Sequence, residues 1–211
     1  MNKQGTVYTI IFIFIVSFAF VFLLSMTNQV TVEQVELNQE LARRQAILSA
    51  MGIEAATEQQ IQSEFDRIVG DPQRGLYVTT IDGSRVYASR FSGAGLWGTI
   101  SGFLAVSADF NQIVGIEIVD DNETPGLGGR INEQWFKSQF EGEDISGGRL
   151  EVVMMEGDGD SDKSNGLVDG VTGATRTSDS IQIIVNDELE RLQSAAVREE
   201  LESLQTGGGN V

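Results

Sequence analysis

Twenty consecutive residues without a charge, Val7 to Met26, constrain this chain more than anything else in it. At about 1.5 Å per residue, a helix of that length spans roughly 30 Å, the thickness of a bilayer core. A cleaved export signal is the competing reading. Its apolar region would run about 7–15 residues and close on a small-residue site. Met26-Thr27-Asn28-Gln29 offers no such site. The run therefore reads as a retained transmembrane helix over residues 7–26. Lys3 precedes it, and Glu33, Glu36 and Glu40 follow it before the first cation, Arg43. The positive-inside rule then puts residues 1–6 in the cytoplasm and the body of the protein outside.

The remainder is long enough for one ordinary domain with accessory segments. Of 211 residues, 41% are hydrophobic and 21% charged, which suits a packed core. The net charge of -17 argues against nucleic acid, whose phosphates need clustered Lys and Arg. It also disfavours flat docking on anionic lipid. The chain has neither Cys nor His. That removes disulfides, thiolate nucleophiles, cysteine-held clusters, the usual general base and the commonest metal ligand. Redox or acid–base chemistry would then fall to a bound cofactor.

Hydrophobic spacing divides the body. Residues 27–70 read as a helical stalk: Val35, Leu37, Leu41, Leu48 and Met51 recur loosely before Gly52 interrupts. Thr57-Glu58-Gln59-Gln60 has the form of a capping box, and Gly70-Asp71-Pro72 is read as closing that second helix. From Leu76 the period shortens. Strands Leu76–Ile81 and Arg85–Ser89 flank Asp82-Gly83, a hairpin signal. Four glycines then surround Trp97 in Phe91–Val106, which suggests bulges or close backbone approach. Further strands are expected at Phe103–Ser107, Ile113–Val119 and Leu150–Met154, with a short helix over Asn132–Phe140. Alternation at Val114, Ile116 and Ile118 predicts one buried face. Asp158, Asp160 and Asp162 resemble a calcium loop only superficially, since the twelve-residue frame with its terminal Glu is missing. A helix is expected from about Ser178, and residues 197–211 read as a charged helix end with a flexible tail.

Between the strand-like Leu167-Val168 and that helix lies Asp169-Gly170-Val171-Thr172-Gly173-Ala174-Thr175. Its glycines permit a tight bend and close approach to a ligand. Amides at a helix start attract anions, phosphate above all. Three hydroxyls, Thr172, Thr175 and Thr177, crowd the same turn. Taken alone, the stretch is equally a plain glycine turn before a helix.

Three separated segments resemble one family. They are Gly95-Leu-Trp-Gly-Thr-Ile-Ser-Gly-Phe-Leu-Ala, Glu123-Thr-Pro-Gly-Leu-Gly-Gly and Val168-Asp-Gly-Val-Thr-Gly-Ala-Thr-Arg-Thr-Ser. With the N-terminal anchor, they look like the C subunit of the sodium-translocating NADH:quinone reductase. The G subunit of the related Rnf electron-transport complex is a close alternative, and the Gly-Leu-Trp segment favours the former. The resemblance runs from about Tyr77 to Glu190.

That resemblance implies an α+β fold with antiparallel strands over residues 71–196. It implies FMN joined through its phosphate to the hydroxyl of Thr175 by a separate flavin transferase. Asp169, Thr172, Gly173 and Ala174 are then the matching recognition residues, and Thr177 lies beside them. It further implies that Glu123, Thr124, Gly126, Leu127 and Gly128 lie against the flavin ring. Trp97 is either flavin-side or core. Arg176 departs from a position expected to be variable and often apolar. Partners would be the other membrane subunits of the complex, in the bacterial inner membrane. No dinucleotide fingerprint follows a strand, so NADH would bind elsewhere. Two further readings remain open on the residues alone. One is a cofactor-free envelope scaffold, and the other is a domain binding FMN without a bond.

Overall fold

The computed structural model describes residues 5–154 and 159–207. The first four residues, Asp158 of the acidic loop and the last four residues of the tail lie outside that range. Helix α1 covers Thr6–Ala50. No Gly or Pro interrupts those 45 residues, so nothing local stops the helix. It ends where Gly52 takes φ 76°. Ile53 N–H then donates to the Leu48 carbonyl and Gly52 N–H to the Ser49 carbonyl, the paired bonds of a Schellman stop. The apolar part of α1 is long and apolar enough to cross a membrane, by length and composition.

The chain divides into two compact units, residues 1–41 and 42–211. The second begins inside the segment read from sequence as a stalk. It holds the end of α1, helix α2 (Glu58–Phe65) and five strands: β1 (Val69–Asp71), β2 (Leu76–Ile81), β3 (Ser84–Ala94), β4 (Thr99–Ser107) and β5 (Ile113–Asp120). The five form one antiparallel sheet in sequence order. The β2–β3 turn has Asp82 at φ 50° and Gly83 at φ 80°, the positive pair that a two-residue hairpin requires. The capping box on α2 is also present, with Thr57 and Gln60 bonded reciprocally.

Both faces of this sheet are covered. Leu76, Val78, Phe91, Leu104 and Val106 point into the larger core with the later helices. Tyr77, Val86, Ala88, Phe103 and Ala105 point the other way, into a core with Ala46, Ile47, Ala50 and Met51 of α1. This explains why Phe103–Val106 is apolar at every position rather than alternating. On β5, Ile116 and Ile118 lie in the larger core as their alternation predicts, while Val114, skipped in the pairing with β4, packs against the α1 core.

Two other expectations change. Gly70-Asp71-Pro72 does not close a helix. α2 ends at Phe65, and Val69–Asp71 pairs with Leu76–Val78 as an edge strand. Gly70 is needed there, since a Cβ would lie 2.5 Å from the Tyr77 ring. The helix expected over Asn132–Phe140 is a 3-10 segment, Gly128–Asn132, followed by the short α3, Gln134–Lys137. The antiparallel sheet is joined by a separate two-stranded parallel one, β6 (Glu151–Val153) with β7 (Leu167–Asp169).

Helix α4 (Thr175–Gln193) buries Ile181, Ile184, Val185, Leu189 and Leu192 against the sheet. Its seat is Gly93 of β3, where a Cβ would stand 2.4 Å from Ile184 Cγ1. One turn further on, Glu188 accepts from the Ser89 hydroxyl of β3 and pairs with Arg191 at 2.7 Å. Helix α5 (Ala195–Gly207) follows, with Leu201 buried. Glu200 in α5 pairs with Arg74 at 2.6 Å, and Arg198 stacks 4.3 Å from the Phe110 ring.

Glu143 is fully buried beneath this fold. One carboxyl oxygen accepts from Gly166 N–H at 2.7 Å, and the other has no partner. Burial pushes its pKa above the ordinary carboxyl value. The folded state therefore holds this proton more tightly than the unfolded chain does. Its penalty is absent at low pH and grows as pH rises from the unfolded value through the raised folded one. Glu143→Gln should remove that fall. Urea unfolding at a series of pH values should show a flatter profile above pH about 4.5 than the wild type gives.

Candidate functional site

The turn before α4 is built by four backbone and side-chain devices. Gly170 N–H donates to the Val153 carbonyl, tying the end of β7 to β6. Gly173 takes φ 81°, a conformation that glycine adopts without strain. Ala174 N–H closes the turn onto the Val171 carbonyl at 2.9 Å. The buried Ser178 hydroxyl accepts from Val171 N–H at 3.0 Å and donates to the Ala174 carbonyl at 3.1 Å. These fix where the helix begins, at Thr175 rather than one turn later at Ser178.

The three hydroxyls have different fates. Thr172 and Thr175 are exposed, whereas Thr177 is buried and donates to Glu123 Oε2 at 2.7 Å. Thr175 and Thr177 are two residues apart on a helix, about 200° around its axis, so one faces out when the other faces in. Thr177 is thus a structural contact rather than a free ligand group. Thr175 is the first residue of α4, and Ala174 at the cap position supplies no side-chain acceptor. The opening amides of a helix lack intrahelical partners and carry its positive end. An exposed hydroxyl consequently stands over an anion-attracting helix start, with the exposed Arg176 beside it.

The other two segments converge on this turn. Gly95–Gly98 is the tip of the β3–β4 hairpin, closed by Gly95 N–H donating to the Gly98 carbonyl at 2.7 Å. On it sit Leu96, 43% exposed, and Trp97, 70% exposed. Of the two sequence readings of Trp97, the core one is excluded by that exposure. Leu127 is 47% exposed, and its Cδ2 lies 3.5 Å from where a Cβ on Gly173 would stand. Thr124 and Gly126 are exposed beside it, while Gly128 is buried. Exposed apolar side chains therefore sit on segments that meet this turn at Gly173 and Thr177.

Glu123 does not lie on that surface. It is buried, and its carboxylate accepts from Leu96 N–H at 2.7 Å, Trp97 N–H at 3.1 Å and the Thr177 hydroxyl. Asp169 is buried too. Its Oδ2 accepts from Gly159 N–H at 3.1 Å, and Oδ1 has no partner. Gln139 is a residue that sequence spacing does not reveal. Its buried amide accepts from the N–H groups of Asp160 and Asp169 and donates to the Asp169 carbonyl. It braces the segment entering the turn from 30 residues away in sequence. Among the described residues no cluster of three acidic groups is placed to hold a metal ion.

Ser178→Ala should leave the buried Val171 N–H unpartnered and cost about 1–3 kcal/mol of stability. Chemical denaturation with the full chain checks this, and a change below about 0.5 kcal/mol would mean the hydroxyl does not hold the turn.

Comparison with known proteins places this geometry. Residues 95–190 match the family model described as an FMN-binding domain, a span that contains all three segments. The C subunit of the Na(+)-translocating NADH-quinone reductase of Haemophilus ducreyi is 45% identical over 91 residues, 42% of this chain and 35% of that protein. The corresponding C subunit of Pasteurella multocida is 36% identical over 91 residues, 43% of this chain and 35% of its own length. The alignments thus span about a third of these relatives. The crystal structure of the reductase's C subunit from Parabacteroides distasonis superposes with a TM-score of 0.61 at 23% identity, covering 76% of this chain and 94% of that one. The crystal structure of Shewanella oneidensis NqrC gives 0.60 at 19%, covering 80% and 98%. The fold is shared with both.

Proposed function

We propose that this chain is a membrane-anchored electron carrier, akin to the C subunit of its relatives' reductase, holding one FMN through a phosphoester on Thr175. The observation that carries the proposal is the separation of the hydroxyls. Thr175 is exposed at an uncapped helix start, and Thr177 is already committed to Glu123.

The residues fit the group. A phosphoester needs a side-chain oxygen, room for a phosphate and donors for its remaining oxygens. The Thr175 hydroxyl supplies the first, and its exposure leaves the room. The amides of Thr175 and Arg176 supply donors, and the helix dipole adds favourable potential. Arg176 contributes a cation at the same place. Leu127, Leu96 and Trp97 offer exposed apolar area suited to a flat ring. Gly126 and Gly173, both at positive φ, let the backbone turn without side chains in that space. FMN, when bound, supplies reversible one- and two-electron transfer. The chain positions it, shields one side of it and keeps the attachment point rigid.

On this reading α1 is the membrane anchor, with its N-terminus in the cytoplasm and the domain external. Electrons arrive from one redox centre of a sodium-translocating NADH-quinone reductase and leave to another. NADH is oxidised on a different subunit. The acidic charge of the chain suits neighbours with basic surfaces. Attachment of the flavin falls to a transferase that recognises the Asp169–Thr175 turn.

Coexpression with such a transferase tests the attachment. The wild-type chain should show flavin fluorescence on a denaturing gel, and Thr175→Ala should be dark. Fluorescence that persists in Thr175→Ala would refute the assignment.

A further inference from the structure

Each of the three site segments meets the others at one carboxylate. We infer that Glu123 is a positioning residue, a latch that locks the hairpin tip bearing Leu96 and Trp97 to the start of α4 bearing Thr175. Its bearing on the flavin rests on the function proposed above; the latch itself does not.

The carboxylate is 6% exposed, and all its contacts run between segments. Oε1 takes two consecutive amides of the hairpin tip, at 2.7 and 3.1 Å. Oε2 takes the Thr177 hydroxyl at 2.7 Å, on the second residue after Thr175. Among the described residues no Lys or Arg pairs with it, so neutral donors alone hold the charge. Its own N–H is held by Asp121 Oδ1 at 2.8 Å, which fixes the backbone from which the side chain projects.

The surrounding chain is shaped to admit this group. A Cβ on Gly95 would stand 2.5 Å from Oε1. One on Gly128 would stand 2.7 Å from Oε2 and 2.5 Å from Thr177 Oγ1. Both glycines are therefore needed as space rather than as hinges. Neither is among the positive-φ residues, which excludes backbone strain as the reason for them. The tip has little else to hold it: one hydrogen bond closes it, and both its apolar side chains are exposed. Without the latch, Leu96 and Trp97 lose their fixed relation to the Thr175 hydroxyl. Gln at this position keeps the amide-accepting oxygen, and its NH2 donates to a Thr177 hydroxyl turned to accept. Ala keeps neither.

Hydrogen exchange resolved by residue tests the latch on the full chain carrying Thr175→Ala, which removes the flavin question. Glu123→Ala should lower the protection of the Leu96 and Trp97 amides by about tenfold or more, with Leu104 of the central strand unchanged. Glu123→Gln should restore most of it. Thr177→Val, which removes one bond and keeps the volume, should give an intermediate loss and serves if Glu123→Ala does not fold. Protection of Leu96 and Trp97 unchanged in Glu123→Ala or in Thr177→Val overturns the latch. The second arm uses the flavin-loaded chain with Thr175 intact. Flavin fluorescence anisotropy should fall in Glu123→Ala and recover in Glu123→Gln. Unchanged anisotropy beside lost amide protection overturns the positioning role. A wild-type chain that takes up no flavin instead refutes the proposed function and leaves the exchange result standing.

Discussion

The seating of α4 on β3 is the contact on which the site depends. Gly93 lets the helix approach until Ile184 lies against the strand backbone. Ile181, Val185, Leu189 and Leu192 then complete the buried stripe. A helix held along its whole apolar face has a fixed first residue, and that residue is Thr175. Side-chain volume at Gly93 would lift the helix and move the hydroxyl with it. Core packing therefore sets the position of a surface atom. The polar devices at the turn refine a placement that the helix has already made.

The turn itself shows how polar groups are handled near such a site. Ser178 and Gln139 satisfy backbone groups that the bend leaves without secondary-structure partners. Asp169 and Glu143 each retain one buried oxygen without a partner. Burial of that kind costs stability, and natural folds tolerate it sparingly. Asp160 and Asp162 add to the repulsion felt by Glu143, and Lys163 relieves part of it. Lys163 also donates to the carbonyls of Ser138 and Gln139, so one cation steadies both the loop and its charge.

Much of the architecture was legible from residues alone. The apolar run of α1, the Asp82-Gly83 hairpin and the Thr57 capping box each carry a local signal strong enough to survive tertiary context. β1 was not legible, because three residues give no period, and Pro72 reads as a terminator of anything before it. The covered second face of the sheet was hidden because its partner, the end of α1, looks like stalk in sequence. At the site, spacing placed the hydroxyls together but not their orientation. Thr175 and Thr177 differ only by the helix rotation between them. The same limit hid Glu123: the resemblance of its segment implied a place against a flavin ring, and only the fold shows its side chain turned inward toward Leu96, Trp97 and Thr177. Gln139 carried no signal, since a buried glutamine amide looks like any other glutamine until its partners are placed.

We propose that Thr175 of this turn carries one FMN. Mass spectrometry of the chain purified after coexpression with a flavin transferase tests this. The tryptic peptide Ser164–Arg176 contains Thr172 and Thr175, while Thr177 falls in the next. The predicted result is a gain equal to one FMN less one water, with fragmentation locating it on Thr175. An unmodified mass, or the same gain on Thr172 or Thr177, would contradict it.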